Sequence, residues 1–340
     1  MDRPQRFHSG DVPRLGGVAI CAGVLVATVR SSSSPLFGDL GATSVPGWEA
    51  LKWVLILMPA FLGGVYEDLT HRLKARYRLI LTLSSGVLAV SLLGCSIERI
   101  DIGWMDAWLS MYPFIGATLA GLAIAGLPHA LNIIDGYNGL ASVVSLIITV
   151  ALAYVALKVG EWQLVGWLII LAGTTAGFLM WNYPKGLLFA GDGGAYVWGI
   201  LLAVTSVKLV QSNQAVSPWF PMLLLIYPVW ETIFSIYRKI LRGQSPGMAD
   251  ALHLHQLIYR RIVREVFHDD KDRRMLVRNN RTSPYLWGFT LLTVVPAVLF
   301  WDNSVVLMLF CALFAITYVP AYLMIVRFKV PRWIRRGRKL

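Results

Sequence analysis

Long apolar runs separated by short polar segments form the dominant pattern of the chain. Each run is close to the roughly 20 residues of helix that cross a bilayer, whereas barrel strands would alternate polar and apolar positions over about ten residues. Because backbone groups inside a bilayer must close their own hydrogen bonds, the pattern predicts an all-α, polytopic membrane protein with a single membrane-embedded domain over residues 1–340. About ten transmembrane helices are expected, near residues 15–30, 48–65, 77–94, 108–127, 139–158, 162–181, 194–210, 218–238, 285–300 and 304–326.

The composition agrees with this class. Of the 340 residues, 56% are hydrophobic and 15% are charged, whereas a soluble domain carries roughly 25% charged residues. The three cysteines (Cys21, Cys95 and Cys311) lie in or beside apolar runs without metal or redox spacing, which indicates small core residues. No convincing internal repeat is present, and this weakens the case for a secondary transporter.

The placement of positive charge indicates the orientation. A net charge of +12 could point to nucleic acid, but the basic residues lie beside the apolar runs, as the positive-inside rule describes. All but five of the 31 Lys and Arg residues fall in or at the edge of segments that alternate threading collects on one side. We expect this side to face the cytoplasm and expect no nucleic-acid partner. The segments are about 1–14, 66–76, 128–138, 182–193, 239–284 and the tail 327–340.

A polar turn of sequence HALNIIDGYNGLA joins the fourth and fifth apolar runs. It places Asp135 between Asn132 and Asn138, with two glycines beside them. Carboxylate and amide oxygens suit a hard cation such as Mg²⁺, and glycine lets the backbone approach a ligand closely. The alternative is a polar cap between two membrane helices, since Asn, Asp and Gly all favour caps and turns.

Two further acidic turns lie on the same predicted side. Glu67 and Asp68 end the second apolar run and are followed by basic residues, Lys74 among them. The acidic pair could simply neutralise those basic residues. In the segment FAGDGG, Asp192 stands between glycines, and it could likewise be a helix cap.

The long fifth polar segment contains the motif HLHQ, with His253 and His255 two residues apart. They could be solvated loop residues, and zinc is disfavoured because no Cys or third His stands at ligand spacing. Glu231 lies inside the eighth apolar run, where an ionisable residue is a functional candidate by default. A purely structural pair with Arg238 is the alternative for Glu231.

Helix caps and solvated loops do not explain the combination of these features. Three acidic, glycine-containing turns and two histidines share one predicted side with clusters of Lys and Arg. Carboxylates indicate a divalent metal, and basic residues beside glycine turns indicate phosphates that the metal bridges. Binding of anionic lipid headgroups would leave the acids without a role. The sequence therefore favours phosphoryl transfer to a lipid carrier at the membrane surface, with Arg14 and Lys74 holding anionic substrates.

Six motifs follow one another along nearly the whole chain: PRLGG, ED before basic residues, NIIDGYNGLA, FAGDGG, ET and HLHQ. In this order the chain resembles the polyprenyl-phosphate N-acetylhexosamine-1-phosphate transferases, a glycosyltransferase family. The resemblance implies transfer of a sugar 1-phosphate from a UDP-sugar to undecaprenyl phosphate, with release of UMP. It also implies a Mg²⁺ cofactor, with Mn²⁺ as a substitute, and a site on the cytoplasmic face of the bacterial inner membrane. A homodimer is expected by analogy only.

The resemblance assigns roles to individual residues. Asp192 matches the family's metal-binding Asp, and Asp135 lies in the NxxD motif beside the metal and phosphates. Asp68 matches a carboxylate for which a general-base role and a metal-proximal role both remain open. The residues with implied catalytic roles are Glu67, Asp68, Asp135, His253 and His255.

Substrate contacts are also implied. Phe189 matches the aromatic residue that stacks on uracil, Asn138 and Asn182 match positions that contact the nucleoside, and Asn132 lies by the phosphates. The pair Glu67–Asp68, in place of two Asp residues, favours the subgroup that initiates O-antigen or other surface glycans, with UDP-linked N-acetylated or deoxy-N-acetylated hexoses. The longer His-rich signature of the peptidoglycan enzyme is absent, which excludes its substrate.

Two other classes of protein are compatible with the fold. A membrane transporter or flippase for a lipid-linked or anionic solute would place ionisable groups near the bilayer midplane and on both faces. Here they cluster on one face, with Glu231 as a partial exception. An inactive scaffold of the same fold is disfavoured because Asp135, Asp192 and both histidines are retained.

Overall fold

The structure, a computed structural model, describes residues 12–33, 46–243, 252–263 and 270–327. This part of the chain is all-helical, which confirms the predicted fold class. Most of the predicted segments 1–14 and 327–340, and parts of 239–284, lie outside the described residues. The helices are α1 (Gly16–Ser33), α2 (Gly47–Thr70), α3 (Ala75–Leu93), α4 (Gly103–Met111), α5 (Pro113–Ile134), α6 (Leu140–Lys158), α7 (Trp162–Asn182), α8 (Gly191–Ser212), α9 (Trp219–Leu224), α10 (Ile226–Leu241), α11 (Leu254–Arg261), α12 (Lys271–Leu299) and α13 (Ser304–Val326).

The described helices form a multi-pass membrane protein. Eight of them are long and apolar enough to cross a bilayer, and α1 is a shorter apolar helix. The predicted run 218–238 is divided into α9 and α10 at Leu225. Pro228 causes the break, because it has no N–H to donate to the carbonyl of Leu224 and its ring crowds that carbonyl. The eight long helices are α2, α3, α5, α6, α7, α8, α12 and α13.

Three helices extend beyond the apolar runs that predicted them. α2 continues to Thr70 and α5 to Ile134, so Glu67, Asp68 and Asn132 lie on helices and not in loops. α12 begins at Lys271, and the first part of α4, before residue 108, occupies a segment expected to be a loop. Hydropathy marks where the bilayer ends, whereas a helix ends where its backbone hydrogen bonds end.

α8 is the central helix of the bundle. It packs against α1, α2, α5, α6 and α7, and every residue from 193 to 206 is buried. A Cβ on Gly17 of α1 would lie 2.3 Å from Gly194 N, and one on Gly64 of α2 would lie 2.6 Å from Gly193 N. Small residues let membrane helices approach this closely. The acidic turn that begins α8 is therefore held tightly against α1 and α2.

The opposite end of the bundle is closed by polar contacts. Arg99 forms an ion pair with Asp101 at 2.6 Å and donates to the carbonyl of Val216 at 2.6 Å. Nearby, α4 exposes Trp104 and Trp108, as expected of aromatic anchors at a membrane interface. The predicted site residues lie at the other end.

Candidate active site

Three acidic segments meet at one end of the bundle. They are the last turn of α2, the residue that follows α5, and the first turn of α8. Asp68 of α2 accepts from the backbone of α8, and Asn132 of α5 donates to Asp192 of α8. Asp135 couples electrostatically to both Asp68 and Asp192. The turns that were predicted to share one side of the membrane therefore form one carboxylate cluster.

Asp68 accepts hydrogen bonds with both carboxylate oxygens from the start of α8. Oδ1 accepts from Asp192 N and Oδ2 from Gly193 N, each at 2.9 Å, and Asp68 is only 8% exposed. The first N–H groups of a helix have no partner within it, and the helix dipole favours a carboxylate there. Asp68 thus caps α8 from α2 and fixes the position of Asp192.

Asp192 is held by three neighbouring side chains. Arg78 Nη1 donates to Oδ2 at 2.7 Å, and Asn132 Nδ2 donates to Oδ1 at 2.8 Å. Tyr196 Oη lies 3.4 Å from Oδ2. A carboxylate has about four acceptor positions, so Asp192, which keeps 13% exposure, can still coordinate a cation. Arg78 was treated in the sequence only as one of several basic residues, and the structure adds it to the site.

Asp135 is the third carboxylate of the cluster, and it differs from Asp68 and Asp192 in its contacts. Within the described chain, its side chain forms no hydrogen bond and no ion pair. Burial raises the pKa of Asp135 to about 7, Asp68 and Asp192 act in the same direction, and Arg14 opposes them. A bound cation would favour the ionised carboxylate. Asp135 is therefore the acid of the cluster that is best placed to receive a ligand.

The predicted charged residues around the cluster fall into two groups. Arg14 is exposed and interacts electrostatically with Asp68 and Asp135. Glu67 Oε2 accepts from Leu73 N at 2.7 Å, which folds the α2–α3 connection, and Lys74 is exposed at the N-cap of α3. The structure thus places Arg14 at the cluster, Glu67 in the last turn of α2 and Lys74 at the start of α3.

The loop before α1 pairs with the loop before α8. Phe189 N donates to the carbonyl of Pro13 at 3.0 Å, and Gly16 N donates to the carbonyl of Phe189 at 2.9 Å. This pairing holds the half-buried Phe189 against the segment that contains Arg14. The stacking of its ring on a nucleobase stays a prediction.

Asn138 and Asn182, predicted to contact the nucleoside, are 1% and 6% exposed and bond to protein groups. Asn182 Oδ1 accepts from Gly139 N at 2.6 Å, while its Nδ2 donates to the carbonyl of Leu188 at 2.8 Å. Asn138 Nδ2 donates to Asn280 Oδ1 at 2.9 Å. Both side chains tie the turn after α5 to neighbouring segments, and their contact with a nucleoside stays a prediction.

Sequence reasoning missed the polar start of α12, because hydropathy placed it in a loop. Asn279 Oδ1 accepts from Asn138 N at 2.9 Å, and Ser283 Oγ donates to the carbonyl of Asn138 at 2.6 Å. Trp287 Nε1 donates to the carbonyl of Gly139 at 2.9 Å. A signal was present in the sequence, since the buried face of α12 repeats with helical spacing. Its members are Asn279, Thr282, Ser283, Leu286, Thr290, Thr293, Val294 and Ala297.

His253 and His255 stand at the start of α11, beside the turn after α5. Their rings stack with centroids 5.4 Å apart, and both residues are buried. A Cβ on Gly136 would lie 2.8 Å from His255 Nε2. The imidazole therefore lies directly against the residue that follows Asp135, and the histidine motif adjoins the acidic turns.

The donor set can be compared with what Mg²⁺ requires. Among the described residues, no three His, Cys, Asp or Glu side chains come together closely enough for a complete metal site. Mg²⁺ rarely needs one, since it keeps several waters and takes one or two carboxylates together with substrate phosphates. Asp135 and Asp192 supply two such carboxylates in one cluster. These residues fit the expected cation.

The bundle and its acidic end define a class, a multi-pass membrane protein with a carboxylate cluster where α2, α5 and α8 meet. Residues 50–210 match the family model described as Glycosyl transferase family 4, and this range contains Asp68, Asp135 and Asp192. The chain is similar to this family over residues 50–210, and the resemblance predicted from the motifs is confirmed.

Similarity to individual proteins covers more of the chain than the family model does. "Probable undecaprenyl-phosphate N-acetylglucosaminyl 1-phosphate transferase" of Bacillus subtilis is 28% identical over 75% of this chain and 68% of its own length. "Decaprenyl-phosphate N-acetylglucosaminephosphotransferase" of Mycolicibacterium smegmatis is 24% identical over 88% and 75%. "Phospho-N-acetylmuramoyl-pentapeptide-transferase" of Moorella thermoacetica is 29% identical over 72% and 74%.

Proposed function

We propose that the protein transfers a sugar 1-phosphate from a UDP-linked N-acetylhexosamine to undecaprenyl phosphate, giving undecaprenyl-pyrophosphate-sugar and UMP. The observation that carries the proposal is the meeting of Asp68, Asp135 and Asp192 beside Arg14 and the histidine motif. The acceptors named for the Bacillus and Mycolicibacterium relatives support a polyprenyl phosphate. The reaction would initiate O-antigen or a related envelope glycan at the cytoplasmic face of the bacterial inner membrane.

The position of the site suits an acceptor that is half lipid. The carboxylate cluster lies where membrane helices end, so a phosphate at the membrane surface can meet a donor from the aqueous side. α10, whose Glu231 contacts His253, exposes apolar side chains such as Ile233, Ile236 and Ile240 along its length. Such a surface can accommodate an isoprenoid chain while its phosphate reaches the acidic end.

The chemistry requires that two anionic substrates approach each other. An oxygen of the acceptor phosphate attacks the phosphorus that carries the sugar, a new P–O bond forms, and the P–O bond to UMP breaks. Arg14 and Lys74 would lower the repulsion between the substrates, since positioning and charge neutralisation supply most of the rate enhancement in phosphoryl transfer. Mg²⁺ held by Asp135 and Asp192 would supply further neutralisation of the donor pyrophosphate.

The carboxylates would act differently from one another. Both oxygens of Asp68 are occupied by backbone N–H groups, which suits a residue that positions α8. Asp135 has no such partner among the described residues, and it is the better candidate to keep the acceptor phosphate deprotonated. Of the general-base and metal-proximal roles left open by the sequence, this arrangement disfavours the general base, and we propose that Asp68 positions α8 beside the metal site.

A transporter or flippase is the other class considered from the sequence. The feature that favoured it was Glu231, an ionisable residue within an apolar run. Glu231 contacts His253 at 3.0 Å, so it belongs to the same end of the bundle as the carboxylate cluster and not to a separate path through the membrane. A homodimer is part of the proposal by analogy with family members.

The proposal is tested by UMP release from purified protein in detergent, with undecaprenyl phosphate and a panel of UDP-N-acetylhexosamines. UDP-N-acetylmuramoyl-pentapeptide belongs in the panel, because it is the donor excluded by the motif comparison. We expect UMP only when acceptor, donor and Mg²⁺ are all present. Removing the metal with EDTA should abolish the signal, and Mg²⁺ or Mn²⁺ should restore it. UMP release without acceptor, or none with any donor, would contradict the proposal.

A positioning role and a general-base role for Asp68 predict different mutant behaviour. We expect Asp68→Asn to retain more activity than Asp68→Ala, because the amide oxygen can still accept one of the two N–H groups of α8. Ala accepts neither, and loss of a cap costs about 0.5–2 kcal/mol of stability. UMP release and thermal unfolding of both variants measure the difference. Equal loss of activity in two normally stable variants would identify Asp68 as a proton acceptor.

A further inference from the structure

Glu231 is a buried carboxylate outside the cluster of Asp68, Asp135 and Asp192. It is 0% exposed in the middle of α10. Burial of an ionised carboxylate is costly unless hydrogen bonds compensate for the lost hydration. The hydrogen-bond partners of Glu231 therefore indicate its role.

The partners of Glu231 come from two other helices. Oε1 lies 3.0 Å from His253 Nδ1 and accepts from Leu254 N at 3.1 Å, at the start of α11. Oε2 accepts from Tyr318 Oη of α13. One carboxylate therefore joins the histidine motif to α10 and α13.

The contact with Glu231 determines how His253 is protonated. A carboxylate can only accept, so Nδ1 of the imidazole must carry the proton that lies between them. Nε2 is then the nitrogen left to face a substrate, as an acceptor in the neutral ring or as a donor in the charged ring. A carboxylate in this position fixes both the tautomer and the orientation of a histidine.

His253 is connected to the acidic turn after α5 by a series of ring contacts. Its ring stacks on His255 at an interplanar angle of 9°. The ring of His255 in turn packs edge-on against Tyr137, with centroids 5.5 Å apart, and lies against Gly136. Glu231 is thus connected through two imidazoles to the turn that carries Asp135.

We propose that Glu231 is a positioning residue of the transfer reaction, which holds His253 in the Nδ1–H tautomer with Nε2 directed to a substrate phosphate. This inference rests on the proposed function, because it assigns the phosphate contact to that reaction. Glu231 itself touches no substrate, and the contact between its Oε1 and His253 is the one that carries this role.

The kinetic test uses Glu231→Gln, which keeps the shape of the side chain and removes its charge. We expect kcat for UMP release to fall by about 10- to 100-fold, as for other residues that orient a catalytic ligand, while KM for the UDP-sugar changes less than about threefold. In a His253→Gln background, the same change should have an effect below about twofold, because both variants remove one interaction. Full additivity of the two losses would overturn the proposal.

Tyr318→Phe is the matched control. It removes a hydrogen bond to the same carboxylate but leaves the contact between Glu231 and His253 intact. If Glu231 only linked α10 to α13, the two variants would cause similar losses of activity. We expect kcat of Tyr318→Phe to stay within about threefold of the wild type, and a loss as large as that of Glu231→Gln would overturn the proposal.

A second measurement does not require turnover. Nitrogen NMR of protein labelled at its six histidines, with His253 assigned from the His253→Gln spectrum, reports which ring nitrogen carries a proton. We expect a proton on Nδ1 in the wild type and a mixture of tautomers in Glu231→Gln. A neutral His253 with Nδ1 unprotonated would overturn the proposal. A correct tautomer without UMP release from any donor would instead count against the proposed function alone.

Discussion

Asp192→Asn is expected to lower kcat for UMP release by at least about 10³-fold, because the proposed divalent cation would lose one of its two carboxylate ligands. Asn has the same shape as Asp and can still accept from Arg78, so the variant should remain folded. What it lacks is the negative charge that would bind the proposed metal and that opposes the charge of Arg78. Initial rates of UMP release over a range of Mg²⁺ concentrations, with thermal unfolding in detergent, measure both effects.

Asp302→Asn provides the matched control for Asp192→Asn. Asp302 is exposed in the turn between α12 and α13, at the opposite end of the bundle. The same loss of charge there should leave kcat within about twofold of the wild type, since surface substitutions away from special features have small effects. If Asp192→Asn kept more than about a tenth of wild-type activity, Asp192 could not be the principal metal ligand.

Gly191→Ala is expected to reduce both activity and stability. Gly191 has φ of 69°, a conformation that costs a residue with a Cβ about 1–3 kcal/mol. The added Cβ would also lie 2.4 Å from Asp68 Oδ2, so the cap of α8 must move. Because a displacement of about 1 Å at a reacting centre can cost about 10²-fold in rate, we expect a loss of at least that size in kcat.

Gly173→Ala in α7 is the control for Gly191→Ala. An added Cβ there would meet no heavy atom within 4 Å, and Ala favours a helix over Gly by about 1 kcal/mol. Its unfolding temperature should therefore equal or exceed that of the wild type, with unchanged UMP release. Wild-type behaviour of Gly191→Ala in the same assays would show that the Asp68 cap does not depend on the close approach seen here.

The class of the protein and the end of the bundle that carries its candidate site were predictable because they depend on one-dimensional patterns. Apolar runs near the bilayer length indicated the membrane helices, and the distribution of Lys and Arg indicated which ends belong together. The convergence of the acidic turns followed from that threading, and contacts between Asp68, Asn132 and Asp192 now place them in one cluster.

The different contacts of the residues in the cluster were not predictable, because they depend on how the helices pack together. Asp68 bonds to the backbone 124 and 125 residues away, and nothing in its local sequence indicates that both oxygens are occupied. Arg78 likewise differs from its basic neighbours only through its contact with Asp192, 114 residues away. The contact of Asn279 with the turn after α5 was not predicted, because Asn279 lies in the part of α12 that precedes the apolar run.

Glu231 was identified from the sequence, but its partners were not. Its place within an apolar run marked it as functional or structurally paired, and Arg238 on the same helix was the partner considered. The structure shows His253 and Tyr318 as partners instead, 22 and 87 residues away. A local pattern identified the residue, whereas its partners required the tertiary structure.

In the proposed reaction the phosphate bonded to the sugar moves with the sugar, and following that phosphorus is the most direct test. Purified protein would be given Mg²⁺, undecaprenyl phosphate and the preferred UDP-sugar, labelled with ³²P on the phosphorus next to the sugar. Sugar 1-phosphate transfer predicts that the label enters the lipid fraction with one UMP released for each labelled lipid. Release of labelled UDP, with an unlabelled sugar on the lipid, would contradict the proposed reaction.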